Sequence, residues 1–305
     1  MILYKTSVPK NRKNFFKRIP LFALSILFLI SVLIPSSKVQ LEGFHPQETV
    51  SSDYLNYSSK DNFYSVSEKD ADFAVLSYNA DLTIFNKLHA KVEVVPDKTD
   101  LNEYIFTLYH QYNISKITDE NNNKLKFEQN GDYVTVYNSG EINKLCFTYS
   151  GFSGTFYSNI QGIFLPAFFP YMPHAGWHEV YGNYIYNYFY FEESTEISIH
   201  INTPQKVYCN LMKTGRNTFS GTGSGVTIIA GFYDEIEANG LRVIRPYMNP
   251  VESDNIVFDM INRCKDNDTF RNANTIIIMP HVNLSGANRY AEFSDHILSS
   301  QSLIL

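Results

Sequence analysis

Leu145–Pro173 reads LCFTYSGFSGTFYSNIQGIFLPAFFPYMP, and its reading decides the fold. The stretch opens as a strand, with Leu145, Phe147 and Tyr149 alternating against Cys146 and Thr148. It then breaks into Ser-Gly turns at Ser150-Gly151 and Ser153-Gly154, and ends in an aromatic loop carrying Pro166, Pro170 and Pro173. A proline-rich loop has few backbone states to lose on folding, and its rings bury a large area. The stretch therefore reads as a structural belt between two sets of strands.

Alternating strands lie on both sides of the belt. Leu88, Ala90, Val92 and Val94 alternate with His89, Lys91 and Glu93 until Pro96. Tyr104–His110 is apolar on both faces and reads as a central strand. Leu125–Gln129 and Tyr133–Tyr137 flank Asn130-Gly131, which predicts a hairpin with a type I′ turn. Beyond the belt, Ile197, Ile199 and Ile201 alternate with Glu196, Ser198 and His200, and Pro204 closes the run. Lys206–Asn210, Val226–Tyr233 and Leu241–Arg245 are further short strands. Such spacing, with no helical period between strands, predicts a mainly β, antiparallel sandwich over residues 71–249.

The pattern changes in residues 250–305. Ser253 or Asp254 can cap a helix with Ile256, Val257, Met260, Ile261 and Cys264 on one face. Thr275–Met279 is a compact strand ended by Pro280, and His281–Ser300 reads as loop-rich. A lone helix-strand unit has little to pack against, so a partner or a continuation beyond Leu305 is expected.

The N-terminus carries a different signal. Residues 1–18 hold six cations and no acid, and the whole chain has a formal net charge of −6. The acidic remainder argues against nucleic acid as a partner. Ile19–Ile34 is uncharged, about 24 Å long as a helix and extendable by flanking Lys17 and Lys38. A cleaved signal peptide would want a small-x-small site, which Pro35-Ser36-Ser37 supplies poorly. The expectation is a transmembrane signal anchor over 19–36, with residues 1–18 cytoplasmic, residues 37–70 a linker and the body extracytoplasmic at the cell membrane.

Candidate chemistry is sparse. His174 and His178, beside Glu179, would face one way on a helix and could begin a metal site. Pro173 and Gly176 argue for a loop instead, with no evident third ligand. Trp177, the one tryptophan, reads as a packing anchor. Gly221–Gly225 superficially suggests a phosphate loop, but it leads into a strand and reads as a flexible hairpin connection. Cys146, Cys209 and Cys264 form no C-x-x-C, and Cys146 and Cys264 read as small apolar residues.

The order of elements resembles the N-terminal half of aminopeptidase-N-like zinc metallopeptidases, as found in extracytoplasmic parts of bacterial ABC-type membrane proteins. Tyr149-Ser150-Gly151 looks like that family's Tyr-x-Gly, and Leu165–Pro170 resembles its aromatic-Pro segment. Ile229–Tyr233 and Gly240–Pro246 look like its closing strands, and Ser253 onwards like the start of its catalytic domain. Where the family has Gly-Ala-Met-Glu-Asn, this chain reads Gly286-Ala287-Asn288-Arg289-Tyr290, lacking the Glu that binds the substrate amine. The resemblance implies that Gly286, Ala287 and Asn288 line a groove for an extended peptide. The family's H-E-x-x-H occurs nowhere in the sequence, so no cofactor is expected in this chain, and zinc only with a downstream catalytic part. The expected function is therefore a membrane-anchored, non-catalytic domain whose partner is a transporter or a catalytic polypeptide. The alternatives are the first part of a split zinc aminopeptidase and a ligand- or partner-binding sandwich.

Overall fold

Alternation of apolar and polar side chains builds the largest sheet of the computed structural model. The structure describes residues 19–29, 57, 67–182, 185–192, 194–238, 240–246, 273–279 and 290–299. Seven strands run in the order β15 (Met212–Gly215), β16 (Thr218–Thr222), β13 (Glu196–Asn202), β1 (Val75–Ile84), β2 (Leu88–Pro96), β7 (Leu145–Gly151) and β4 (Asn113–Thr118). Tyr78, Ala80, Leu82 and Ile84 of β1 and Ile197, Ile199 and Ile201 of β13 point into the core and are buried. Their neighbours Asn79, Asp81, Glu196 and His200 are exposed. One face of the sheet is thus dry and the other wet.

The dry face is covered by a four-stranded sheet in the order β10 (His174–Ala175), β3 (Glu103–Thr107), β6 (Tyr133–Tyr137) and β5 (Lys126–Asn130). Phe106 of β3 meets Phe147 of β7 edge to face, with ring centroids 5.0 Å apart. Tyr104, Phe106 and Phe147 are all fully buried. The central position expected for the Tyr104 strand is what the sheet shows, since β3 lies between β10 and β6. The hairpin of β5 and β6 also forms, but its turn is different. Asn130 pairs with Tyr133, leaving Gly131-Asp132 as the loop, and of these only Gly131 has a positive φ, +60°. That is the type II′ pattern, with glycine first, and Asn130 stays in the strand.

A second four-stranded sheet has the order β14 (Val207–Cys209), β17 (Ile228–Ala230), β9 (Gly162–Leu165) and β8 (Ser158–Asn159), and β11 (Tyr181–Gly182) pairs with β12 (Ile185–Tyr186). The last sheet is β18 (Tyr233–Ala238), β19 (Leu241–Pro246), β20 (Thr275–Ile278), β22 (His296–Ser299) and β21 (Tyr290–Glu292). Val226–Tyr233 is therefore not one strand. Gly231, at φ +124°, turns the chain out of β17 and into β18 of another sheet. The segment expected to be loop-rich, His281–Ser300, contains β21 and β22. β19, β20 and β22 pair in parallel, as do β1 and β13, so the architecture is mainly β with antiparallel pairing dominant and three parallel pairings within it. The last sheet joins strands from both sides of residue 250.

The belt performs the joining role read from its sequence. It leaves the seven-stranded sheet at β7, contributes β8 and β9 to the second four-stranded sheet, and returns to the first through β10. Its loop is fixed by buried tyrosines. Tyr149 donates to the Tyr171 carbonyl at 2.6 Å, Tyr78 to that of Pro173 at 2.8 Å, and Tyr171 to that of Val226 at 2.8 Å. Phe156, Phe168 and Phe169 pack together beneath it. Each hydroxyl satisfies a backbone carbonyl that water does not reach, at a site where an unmet acceptor costs roughly 1–3 kcal/mol.

Residues 19–29 of the apolar run are helical, and every side chain in that helix is exposed. Among the described residues no helix is long and apolar enough to cross a membrane. The helix expected from Ser253 and the remainder of the 19–36 segment lie outside the described residues.

Candidate functional site

His174 and His178 do not share a helical face. His174 opens β10 opposite Thr107 of β3, and Gly176, at φ +92°, turns the chain before His178. The His174 ring is stacked on Phe191, centroids 4.5 Å apart, and stands edge-on to Phe189 at 5.1 Å. Burial, with a smaller push from His178, drives its pKa down to about 3. A neutral imidazole enclosed by two phenyl rings is a packing element. The His178 backbone N–H donates to Thr107 Oγ1 at 2.9 Å while that hydroxyl donates to the Gly176 carbonyl at 2.8 Å. Burial and the nearby Glu68 carboxylate raise the Glu179 pKa. Among the described residues no group of three or more His, Cys, Asp or Glu could hold a metal ion, so the described residues do not fit a zinc centre. Trp177 packs as expected, stacked on Tyr133 at 5.7 Å with its indole N–H on the Val134 carbonyl at 3.3 Å.

Two polar clusters exist that the sequence did not suggest. In the first, the hairpin turn places Asp132 in full burial. Its Oδ1 accepts the His110 backbone N–H at 2.6 Å and lies 3.1 Å from His110 Nδ1, while Oδ2 accepts the Tyr57 hydroxyl at 3.0 Å. The Tyr57 ring stacks on Tyr181, centroids 5.2 Å apart. A buried carboxylate needs donors on both oxygens, and this one receives them from His110 within the body and from Tyr57 in the segment that precedes it. The cluster fastens Tyr57 to the domain.

The second cluster has the spacing of a carboxylate–imidazole–hydroxyl relay. Asp295 Oδ1 lies 2.8 Å from His296 Nδ1, and His296 Nε2 lies 3.0 Å from Thr227 Oγ1. In a hydrolase such spacing activates the hydroxyl. Here His296 and Thr227 are both fully buried, and Thr227 Oγ1 also accepts the Ala167 N–H at 3.1 Å. No substrate carbonyl reaches a hydroxyl so enclosed. Asn210 extends the network, donating to Asp295 Oδ2 at 2.8 Å and to the Gly225 carbonyl at 3.0 Å, while accepting the Thr227 N–H at 2.8 Å. Ser224 and Ser294 exchange backbone-to-hydroxyl bonds, and Arg242 reaches the Cys209 carbonyl at 2.7 Å. These bonds lock β22 and β19 of the five-stranded sheet onto β14 and β17. Burial pushes the Cys209 thiol up to about 12, which removes it as a nucleophile.

Gly221–Gly225 belongs to this junction and is not a loose connection. A Cβ on Gly225 would stand 2.8 Å from the Ala167 Cβ and 3.1 Å from the Phe293 ring, and one on Gly223 would press on Asp295. Glycine is needed here for close approach of two sheets. Gly286, Ala287 and Asn288, the residues expected to line a peptide groove, lie outside the described residues; the edge strand β21 begins at Tyr290.

No family model matches the sequence. No curated protein sequence matches it either. Solved structures do resemble its fold. An M1 zinc metallopeptidase mutant from Deinococcus radiodurans aligns with a TM-score of 0.50 at 13% identity, covering 78% of this chain and 63% of that one. Yeast LTA4 hydrolase, in complex with bestatin, aligns at 0.51 and 11% identity, covering 81% of this chain and 44% of that one. The fold is mainly β and matches the N-terminal region of M1 metallopeptidases. The chain spans less than two thirds of either neighbour's length.

Proposed function

We propose that this chain is a non-catalytic scaffold, corresponding to the N-terminal region of an M1-type metallopeptidase and held outside the membrane by its N-terminal apolar segment. One observation carries the reading. The fold likeness extends over most of the chain, yet the sequence holds no H-E-x-x-H. The three histidine clusters support it. His174 is packed between phenyl rings, His110 holds Tyr57, and His296 sits in a closed junction. The six cations of residues 1–18 before an uncharged run support the anchor and its orientation. The association with an ABC-type transporter rests on the sequence resemblance alone.

A second reading is favoured by a specific feature. β19, β20 and β22 form a parallel trio, whereas the rest of the body has a single parallel pairing, β1 with β13. Parallel strands are ordinarily covered on both faces and belong to α/β units, so this sheet suits the start of a larger α/β body that carries the zinc helix. Aminoacyl-p-nitroanilide hydrolysis by the purified full chain separates the readings. The scaffold gives no turnover above buffer. Turnover abolished by a chelator overturns it.

A further inference from the structure

Two exposed phenylalanines mark one end of the body. Phe85 is 47% exposed and Phe232 77% exposed, the latter the most exposed large apolar side chain of the described residues. Phe85 sits in the β1–β2 turn, since Ile84 pairs with Leu88. Phe232 sits in the bend between β17 and β18. The β8–β9 turn links them. The Ile160 N–H donates to the Phe85 carbonyl at 2.7 Å, and the Gln161 carbonyl lies 3.6 Å from where a Gly231 Cβ would stand. Phe85 and Phe232 therefore crown neighbouring turns, with half-buried Ile160 between them.

The N-terminal segment meets the body at this same end. Leu88, the residue closing the β1–β2 turn, pairs with Gly151, whose backbone packs against residues 111–112. His110, one residue earlier, lies 3.2 Å from the Tyr57 hydroxyl. Tyr57 stands 19 positions after Lys38, the cation that closes the apolar run. Even fully extended, that many residues span at most roughly 65 Å. An anchored chain would thus enter the body at this end, within several nanometres of the bilayer.

The surface charge is balanced. Lys87 is two positions after Phe85, and Lys206 interacts with Asp234 and Glu235, which follow Phe232. Such a surface favours aromatic insertion at the headgroup level over attraction to anionic lipid. We propose that this end of the body, through Phe85 and Phe232, docks on the lipid surface beside its own anchor. The proposal rests on the anchored reading above.

The test uses the full chain in phosphatidylcholine nanodiscs containing lipid with a doxyl group near the headgroup. An environment-sensitive dye is attached at Phe85→Cys, Phe232→Cys or Leu76→Cys in a Cys264→Ser background. Cys146 and Cys209 are buried with thiol pKa values raised by burial, so they label poorly. Leu76 is 53% exposed and lies eight positions up β1 from Ile84, about 26 Å away. The expected result is a blue-shifted emission at Phe85 and Phe232, quenched by doxyl lipid several-fold more than at Leu76 and reversed in detergent. Equal quenching at all three positions, in a chain that resists alkaline extraction, overturns the docking and leaves the anchor intact. A blue shift that persists in detergent without doxyl quenching shows a protein cover, and overturns it too. Extraction of the chain by alkali overturns both the docking and the anchor.

Discussion

Replacing His174 with phenylalanine should remove a defined part of the acid sensitivity of this fold. The native ring is neutral because burial lowers its pKa from 6.5 to about 3. Above pH 6.5 neither the folded nor the unfolded chain carries a proton there, and the residue contributes no pH dependence. Below 6.5 the unfolded chain binds a proton that the native state refuses. Stability then falls as pH drops towards 3, by about 1.4 kcal/mol per unit. At pH 5 the loss amounts to about 2 kcal/mol. Phenylalanine suits a site already bounded by Phe189 and Phe191 and has no proton to bind. Urea unfolding of both proteins at pH 7 and pH 5 is the assay. The difference between them should move by about 2 kcal/mol in the variant's favour as pH falls. Parallel profiles would refute the buried, neutral histidine. If the variant does not fold, the imidazole carbon signals of the native chain serve instead, since a titration near pH 6 would refute it equally.

Other outcomes follow from the belt, the junction and the anchor. Tyr149→Phe leaves the buried Tyr171 carbonyl without its 2.6 Å donor, so unfolding free energy should fall by roughly 1–3 kcal/mol with an unchanged urea m-value. Gly225→Ala forces a Cβ to 2.8 Å from the Ala167 Cβ, and overpacking should lower stability by about 1–3 kcal/mol in the same assay. Alkaline phosphatase fused after residue 70 should be active in a bacterial host, whereas an inactive fusion places the body inside.

How much of this was legible in the sequence depends on the range of the signal. β2 and β13 alternate strictly and β7 nearly so, and the pattern marks them nearly to their ends. β1 alternates as well, but Asn79 and Asp81 are residues depleted in strands and hide the period. β15 has no buried side chain, so no pattern marks it. The single strand expected over Val226–Tyr233 failed at Gly231, whose positive φ sends β18 into another sheet. Parallel pairing of β1 with β13 depends on tertiary closure over more than a hundred residues. The polar clusters were invisible for a similar reason. His296 and Thr227 are 69 positions apart, and Tyr57 and Asp132 are 75 apart. No local motif links such residues. The histidines the sequence did single out, His174 and His178, drew notice by spacing alone, and Gly176 dissolves the helical register that spacing assumes.

Metal content tests the central claim most directly. The full chain, purified without chelator in zinc-supplemented medium, is weighed for zinc by inductively coupled plasma mass spectrometry. A non-catalytic scaffold should hold far less than one equivalent, removed by brief dialysis without change in thermal stability. One tightly held zinc per chain, with Tm falling on its removal, would contradict the account.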